Sequence, residues 1–285
     1  MKDGFGYGMG YELEAYNMEL VKVKELIPNS RMIPKKKGYP IDYKKYNICE
    51  EEEITVKDYT LFGGEVISPI LYDEQSVKES IRCVLEVLKK THAMDLDPSI
   101  SSAGLHFHFG LEIFNRDYQN YYRFIKMMQA FSGEIYAFSH SIHEPLRSSI
   151  STYASPYPKI GLDHLLKKYN HFKDIKEEDF KGKVNSLMLA FASKSHMYRF
   201  TSQTIEVRTC NCPVQAKGQT ELDINLSYQQ FMEYFHFYQT LLEYVSSKQY
   251  DSERIDYYYE KERANPYLEE GKRKEELKRI LKLEK

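Results

Sequence analysis

Tryptophan is absent from this 285-residue chain, cysteine occurs only four times, and neither sign of charge dominates. No apolar run approaches the roughly 20 residues needed to cross a bilayer. The missing tryptophan carries no functional weight, but each of the other shortages excludes something. Cys49, Cys83, Cys210 and Cys212 are too sparse and irregular for a disulfide framework in a chain of this length, so reduced thiols are expected. Cys210-Asn211-Cys212 has no second pair at zinc-site spacing, which leaves small buried side chains as its reading. With 40 Lys+Arg against 42 Asp+Glu, the formal net charge is −2, and no global basic field exists to hold nucleic acid or an anionic membrane. The first ten residues have no basic segment followed by an apolar one, so the expectation is a soluble, cytoplasmic chain.

What is present is ordinary globular material, 42% hydrophobic and 29% charged. Strand-like and helical stretches are mixed without regular alternation, which favours an α+β fold with a mainly antiparallel sheet and flanking helices. Strands are expected at Met9 to Tyr16, at Glu65 to Ile67 before Ser68-Pro69, at Leu105 to Leu111 and at Gln203 to Cys210. Helical spacing runs from Asp73 or Ser76 through Val77, Ile81, Val84, Leu85 and Leu88, from Tyr118 to Ile142, and from Asn225 to Val245. The charged stretch from Pro28 to Glu53 reads as solvated loop. Residues 1–248 form one domain on this reading, and 249–285 a charged helical tail, exposed from about Glu269.

Three strands alternate chemistry with apolar residues. Glu12 and Glu14 share one face of Tyr11-Glu12-Leu13-Glu14-Ala15, while Tyr11, Leu13 and Ala15 share the other. His106 and His108 alternate likewise with Leu105, Phe107 and Phe109, and Thr204, Glu206 and Arg208 with Ile205 and Val207. Glu65 interrupts a fourth, apolar strand. Taken singly, each pattern is satisfied by plain polar alternation, a hydrogen-bonded histidine pair or an ion pair of small worth. Together they allow more. If the four polar faces line one cavity, Glu12, Glu14, Glu65 and Glu206 repel one another unless a cation is bound. Carboxylate-rich surroundings favour Mg²⁺ or Mn²⁺ over zinc, and such a site with an arginine suits phosphoryl transfer.

Gly10-Tyr11-Glu12-Leu13-Glu14, Gly64-Glu65-Val66-Ile67-Ser68-Pro69, Gly104-Leu105-His106-Phe107-His108 and Thr204-Ile205-Glu206-Val207-Arg208 resemble, in this order, the motifs of the amidoligase family. That family belongs to the carboxylate-amine ligase superfamily of glutamine synthetase and glutamate-cysteine ligase. The resemblance implies a curved antiparallel sheet like the glutamine synthetase catalytic domain, and an ATP-dependent ligase that joins a small-molecule or peptide carboxylate to an amine or ammonia through an acyl phosphate. It also implies that Glu12, Glu14 and Glu65 are metal ligands and that one of His106 or His108 joins Glu206 around a second metal. Glu12, His106, His108 and Arg208 would then meet the nucleotide with its Mg²⁺ or Mn²⁺. Arg208 would contact the transferred phosphoryl group or the substrate carboxylate, Arg147 resembles a family arginine, and Asp58 fits loosely. Ala103 stands where the family often has cysteine, and no tryptophan lies near Asp58. Two other readings remain open: a metal-dependent hydrolase built on the same Glu-x-Glu and His-x-His strands, and a non-catalytic, ligase-like binding module.

Overall fold

Strand β1, Gly4–Tyr16, is the strand on which the others assemble. Its odd-numbered side chains from Tyr7 to Ala15 are buried and apolar, so one face must be covered, whereas Glu12 and Glu14 on the other face stay half-buried. The computed structural model describes residues 4–34, 40–50, 54–56, 59–61, 63–93, 103–115, 117–139, 154–157, 162–164, 167, 191, 193, 196–214, 222–261 and 273–282. The further strands are β2 (Ser30–Ile33), β3 (Tyr46–Glu50), β4 (Ile54–Val56), β5 (Tyr59–Leu61), β6 (Gly63–Ile67), β7 (Leu71–Asp73), β8 (Gly104–Gly110), β9 (Tyr198–Phe200) and β10 (Thr204–Asn211).

Eight of them form one open sheet in the order β2-β3-β6-β1-β8-β10-β9, with β7 also pairing to β1. All its pairings are antiparallel except β2 with β3. The register is what matters for function. Glu12 lies opposite His106, Glu14 opposite Glu65, and Glu206 opposite both His108 and Arg199. A bulge between Val207 and Cys210 then shifts β10 against β8, so that Asn211 faces Gly104.

Helices flank this sheet. α1 (Leu20–Leu26) is short, and α2 (Glu74–Lys90) starts where Asp73 accepts the Ser76 amide at 2.8 Å. α2 buries the expected stripe of Val77, Ile81, Val84, Leu85 and Leu88. The predicted helix from Tyr118 divides at Phe131 into α3 (Tyr118–Ala130) and α4 (Ser132–Phe138), and its predicted end at Ile142 lies outside the described residues. α5 (Ile224–Val245) lies along the centre of the apolar face. There Phe107 of β8 packs edge-on against Phe231 and close to Phe235 and Tyr238. Among the described residues no helix is long and apolar enough to cross a membrane.

Two expectations need correction. The Pro28–Glu53 stretch is not simply loop, because it supplies β2 and β3, which extend the sheet beyond β6. Only Ile33, Asn47, Ile48 and Cys49 are buried in those two strands, too few for a visible alternation. The described C-terminal helices are packed against the rest of the protein rather than exposed. α6 (Ser252–Glu260) lies on α3, where Lys126 pairs with Asp256 and its ammonium sits 5.1 and 5.4 Å from the Tyr122 and Tyr259 rings. α7 (Lys274–Leu281) buries Leu277, Ile280 and Leu281, and it is tied to α6 by Arg254 and Glu276. Three- and four-residue spacing of those apolar positions makes one narrow stripe among charges.

Leu277 is fully buried. Leu277→Ala therefore lowers the unfolding free energy by about 2–5 kcal/mol in urea titrations, where a change within roughly 0.5 kcal/mol would mark an exposed tail.

Candidate functional site

The polar side chains of β1, β6, β8 and β10 meet on the sheet face opposite α5. Each is placed by local sequence. In β6, Gly64 leaves room for the ends of two side chains, since a Cβ there would come within 2.5 Å of Leu20 Cδ2 and 2.7 Å of Met18 Sδ. The following Ser68 holds β6 to β1: its backbone N–H donates to the Tyr11 carbonyl, and its Oγ accepts the Tyr11 N–H, both at 2.9 Å. The Gly-Glu-Val-Ile-Ser-Pro string thus clamps Glu65 beside Glu12 and Glu14. In β8, the amide of Gly104 donates to Glu14 Oε2 at 2.7 Å, which orients that carboxylate.

Glu12 occupies the centre. Its Oε2 lies 3.2 Å from His106 Nδ1 and its Oε1 lies 3.0 Å from His108 Nε2. Burial alone would raise the Glu12 pKa, but the charge on His108 and hydrogen bonds from both imidazoles hold it well below the usual carboxylate range. For His108, burial works downward and is outweighed by Glu12 and then Glu206, leaving the pKa raised. Glu65 differs. Burial, reinforced by the charges of Glu12 and Glu14, drives its pKa well upward, although the Cys49 thiol donates to Oε2 at 3.0 Å.

Glu206 has no solvent exposure. Arg208 pairs with its Oε1 and Arg199 of β9 with its Oε2, so one carboxylate holds two guanidiniums. Burial raises its pKa, but His108 and Arg208 more than offset this and the net displacement is downward. Thr204 Oγ1, 3.4 Å from His108 Nδ1, touches the outer edge of the imidazole.

Ligand atoms of Glu12, Glu65 and His106 lie within 4.8 Å of one another, as do those of Glu12, His108 and Glu206. His106 Nε2 is buried and makes no hydrogen bond, and the buried His108 Nε2 faces the Glu12 carboxylate. Buried imidazole nitrogens among carboxylate oxygens fit a cation, and a donor set of mostly carboxylate with one imidazole per trio fits Mg²⁺ or Mn²⁺ better than zinc.

The structure therefore gathers Glu12, Glu14, Glu65, His106, His108, Glu206 and Arg208 on one face. Glu14 stands slightly apart from both trios, with its Oε1 at 3.8 Å from His106 Nε2. Arg147 and Asp58 lie outside the described residues. Two residues at this site have no counterpart in the sequence reading. Arg199 sits in a three-residue strand, Tyr198-Arg199-Phe200, whose alternation is too short to stand out, and Cys49 lies in the stretch read as loop.

A carboxyl with a raised folded-state pKa stabilises the fold while protonated, and that contribution is lost as pH climbs through the raised value. Glu65→Gln removes the ionisation. In chelator, the stability of this variant relative to the parent protein should rise with pH above the ordinary carboxyl range, until the raised value is passed, as followed by thermal melts. A constant difference would show that Glu65 ionises without cost. Glu12 and Glu206, whose stabilisation is lost in the opposite direction as pH falls, are common to both proteins.

The match to known families agrees with this arrangement. Residues 9–228, from the middle of the carboxylate strand to the first turn of α5, match the family described as "putative amidoligase enzyme". No curated protein matches the chain. The matched span contains all four motif strands and every residue gathered on the polar face, and the chain belongs to the amidoligase enzyme family.

Proposed function

We propose that the protein is an ATP-dependent carbon–nitrogen ligase, with divalent cations held at the two trios and phosphoryl oxygens met by Arg208. The observation that carries this reading is the division of the site. Carboxylates and buried imidazoles lie on β6, β1 and β8, beside two guanidiniums held on a single buried carboxylate of β10. Such a division suits a reactant that is both polyanionic and cation-bound, as a nucleoside triphosphate is. The order of the motifs along the chain supports a sheet related to the catalytic sheet of glutamine synthetase.

In the proposed reaction a substrate carboxylate oxygen attacks the γ-phosphorus of ATP, the bond to the bridging oxygen breaks, and ADP departs to leave an acyl phosphate. An amine or ammonia then attacks the acyl carbon, phosphate leaves with the carbon–oxygen electrons, and loss of a proton from nitrogen completes the amide. Bound Mg²⁺ or Mn²⁺ would neutralise phosphate charge and polarise the transferred group. Glu12, Glu65 and His106 would hold one ion, and Glu12, His108 and Glu206 a second. Arg208 is held by Glu206 in advance, so little reorganisation is needed when charge develops on the phosphoryl oxygens. Arg199 shares that carboxylate and brings a second positive charge. Gly104 fixes Glu14 in a position to attract the cations without displacing either trio. No covalent bond to the protein is required.

The test is release of ADP and phosphate with ATP, Mg²⁺ and a library of carboxylates and amines. Arg208→Ala is expected to lower kcat by about 10²- to 10³-fold, as loss of one charge-stabilising donor does. Glu14→Gln is expected to raise the Mg²⁺ concentration for half-maximal rate by about 10-fold. Unchanged product formation in both variants would sink this use of the site. Turnover without nucleotide would point instead to metal-dependent hydrolysis.

A further inference from the structure

Cys49 lies directly across from Glu65 in the β3–β6 ladder. Its thiol donates to Glu65 Oε2 at 3.0 Å, and the residue is only 7% exposed. On its other side Glu65 faces Glu14 in the β6–β1 ladder, and it contributes a ligand atom to the trio with Glu12 and His106. Like charges directly opposite one another on a sheet repel. An ionised Glu65 is therefore pushed away from the two carboxylates with which it must act, unless something holds it from behind.

The chemistry of the holder matters. Lysine or arginine at position 49 would also grip Glu65, but would cancel the negative charge that attracts a cation. A thiol is a weak, uncharged donor. It restrains the carboxylate and leaves its charge for the site. From this geometry we infer that Cys49 is a positioning residue for cation binding, holding Glu65 in the rotamer that serves the Glu12–Glu65–His106 trio; the inference rests on that trio being a divalent-cation site.

The bland alternative is that Cys49 merely fills space between strands. The two differ in what a substitution changes. In calorimetric titration of the full chain with Mn²⁺ and no nucleotide, Cys49→Ala is expected to weaken affinity by about 10-fold, within the range typical of residues that orient metal ligands. Cys49→Ser, which restores a donor, is expected to recover most of that loss. Cys49→Val, without a donor and larger than cysteine where alanine is smaller, should behave as Cys49→Ala does and guards against lost volume as the cause. Equal affinity in the parent protein, Cys49→Ala and Cys49→Val overturns the inference, as does a Cys49→Ser protein as weak as Cys49→Ala.

Glu65→Gln separates this failure from failure of the metal reading. If Glu65→Gln weakens Mn²⁺ binding and the cysteine variants do not, the role of Cys49 alone falls. If Glu65→Gln binds like the parent, the trio is not the cation site and both fall. A thiolate-to-cadmium absorption band that vanishes in Cys49→Ala would make Cys49 a ligand itself and would also overturn the positioning role.

Discussion

Everything at this site depends on like charges being held together by an apolar face they do not touch. Glu14 stands opposite Glu65, with Glu12 alongside, an arrangement that costs free energy in a metal-free protein. The opposing constraint is strand alternation. A one-residue slip of β1 would carry the acids inward and expose Tyr11 and Leu13, both fully buried. On β8 the same slip would draw Phe107 away from Phe231, Phe235 and Tyr238. Burying one large aromatic side chain is worth about 1.5–3 kcal/mol, and several such residues act together across β1 and β8. The packing against α5 thus fixes the register, and the register crowds the carboxylates.

Across the sheet the chemistry changes in order. β6 and β1 carry carboxylates, β8 carries imidazoles, β10 carries a carboxylate and a guanidinium, and β9 carries a second guanidinium. The histidines therefore separate an acidic half from a mixed half. Glu206 is the most demanding member, because a fully buried carboxylate is tolerable only when paired and hydrogen-bonded. Its pairing with Arg199 and Arg208 meets that demand and fixes both arginines. The same contacts thereby pair the buried charge and hold both guanidiniums. The near balance of the whole chain, with net charge −2, hides this local separation.

The parts of this arrangement legible in the sequence are those written at short range. Tyr11-Glu12-Leu13-Glu14 and Leu105-His106-Phe107-His108 announce their two faces by period two alone, and the stripe of α2 announces itself by period 3.6. Arg199 and Cys49 are different. Each acts through a cross-strand partner, Glu206 and Glu65, and sits in a strand of three or five residues with little alternation of its own. The stripe of α7 was present as Leu277, Ile280 and Leu281, but the surrounding lysines and glutamates disguised it as a solvated tail. Burial of a narrow stripe depends on what lies beneath it, and a local pattern does not contain that information.

Glu12 shows why the site has to be built on strands rather than loops. It belongs to both trios, presenting Oε2 to His106 and Oε1 to His108. A carboxylate can serve two centres only if both lie at distances set by its own geometry, so the two histidines must be spaced with matching regularity. The i, i+2 spacing on a paired strand supplies this, and the β1–β8 register places Glu12 directly opposite His106, with His108 the next residue along the same face. Whatever fills one trio alters the charge felt at the other, because the two share an atom-bearing side chain. Loops can vary what enters such a site. The relation between its two halves is set by a single glutamate and the ladder that holds it.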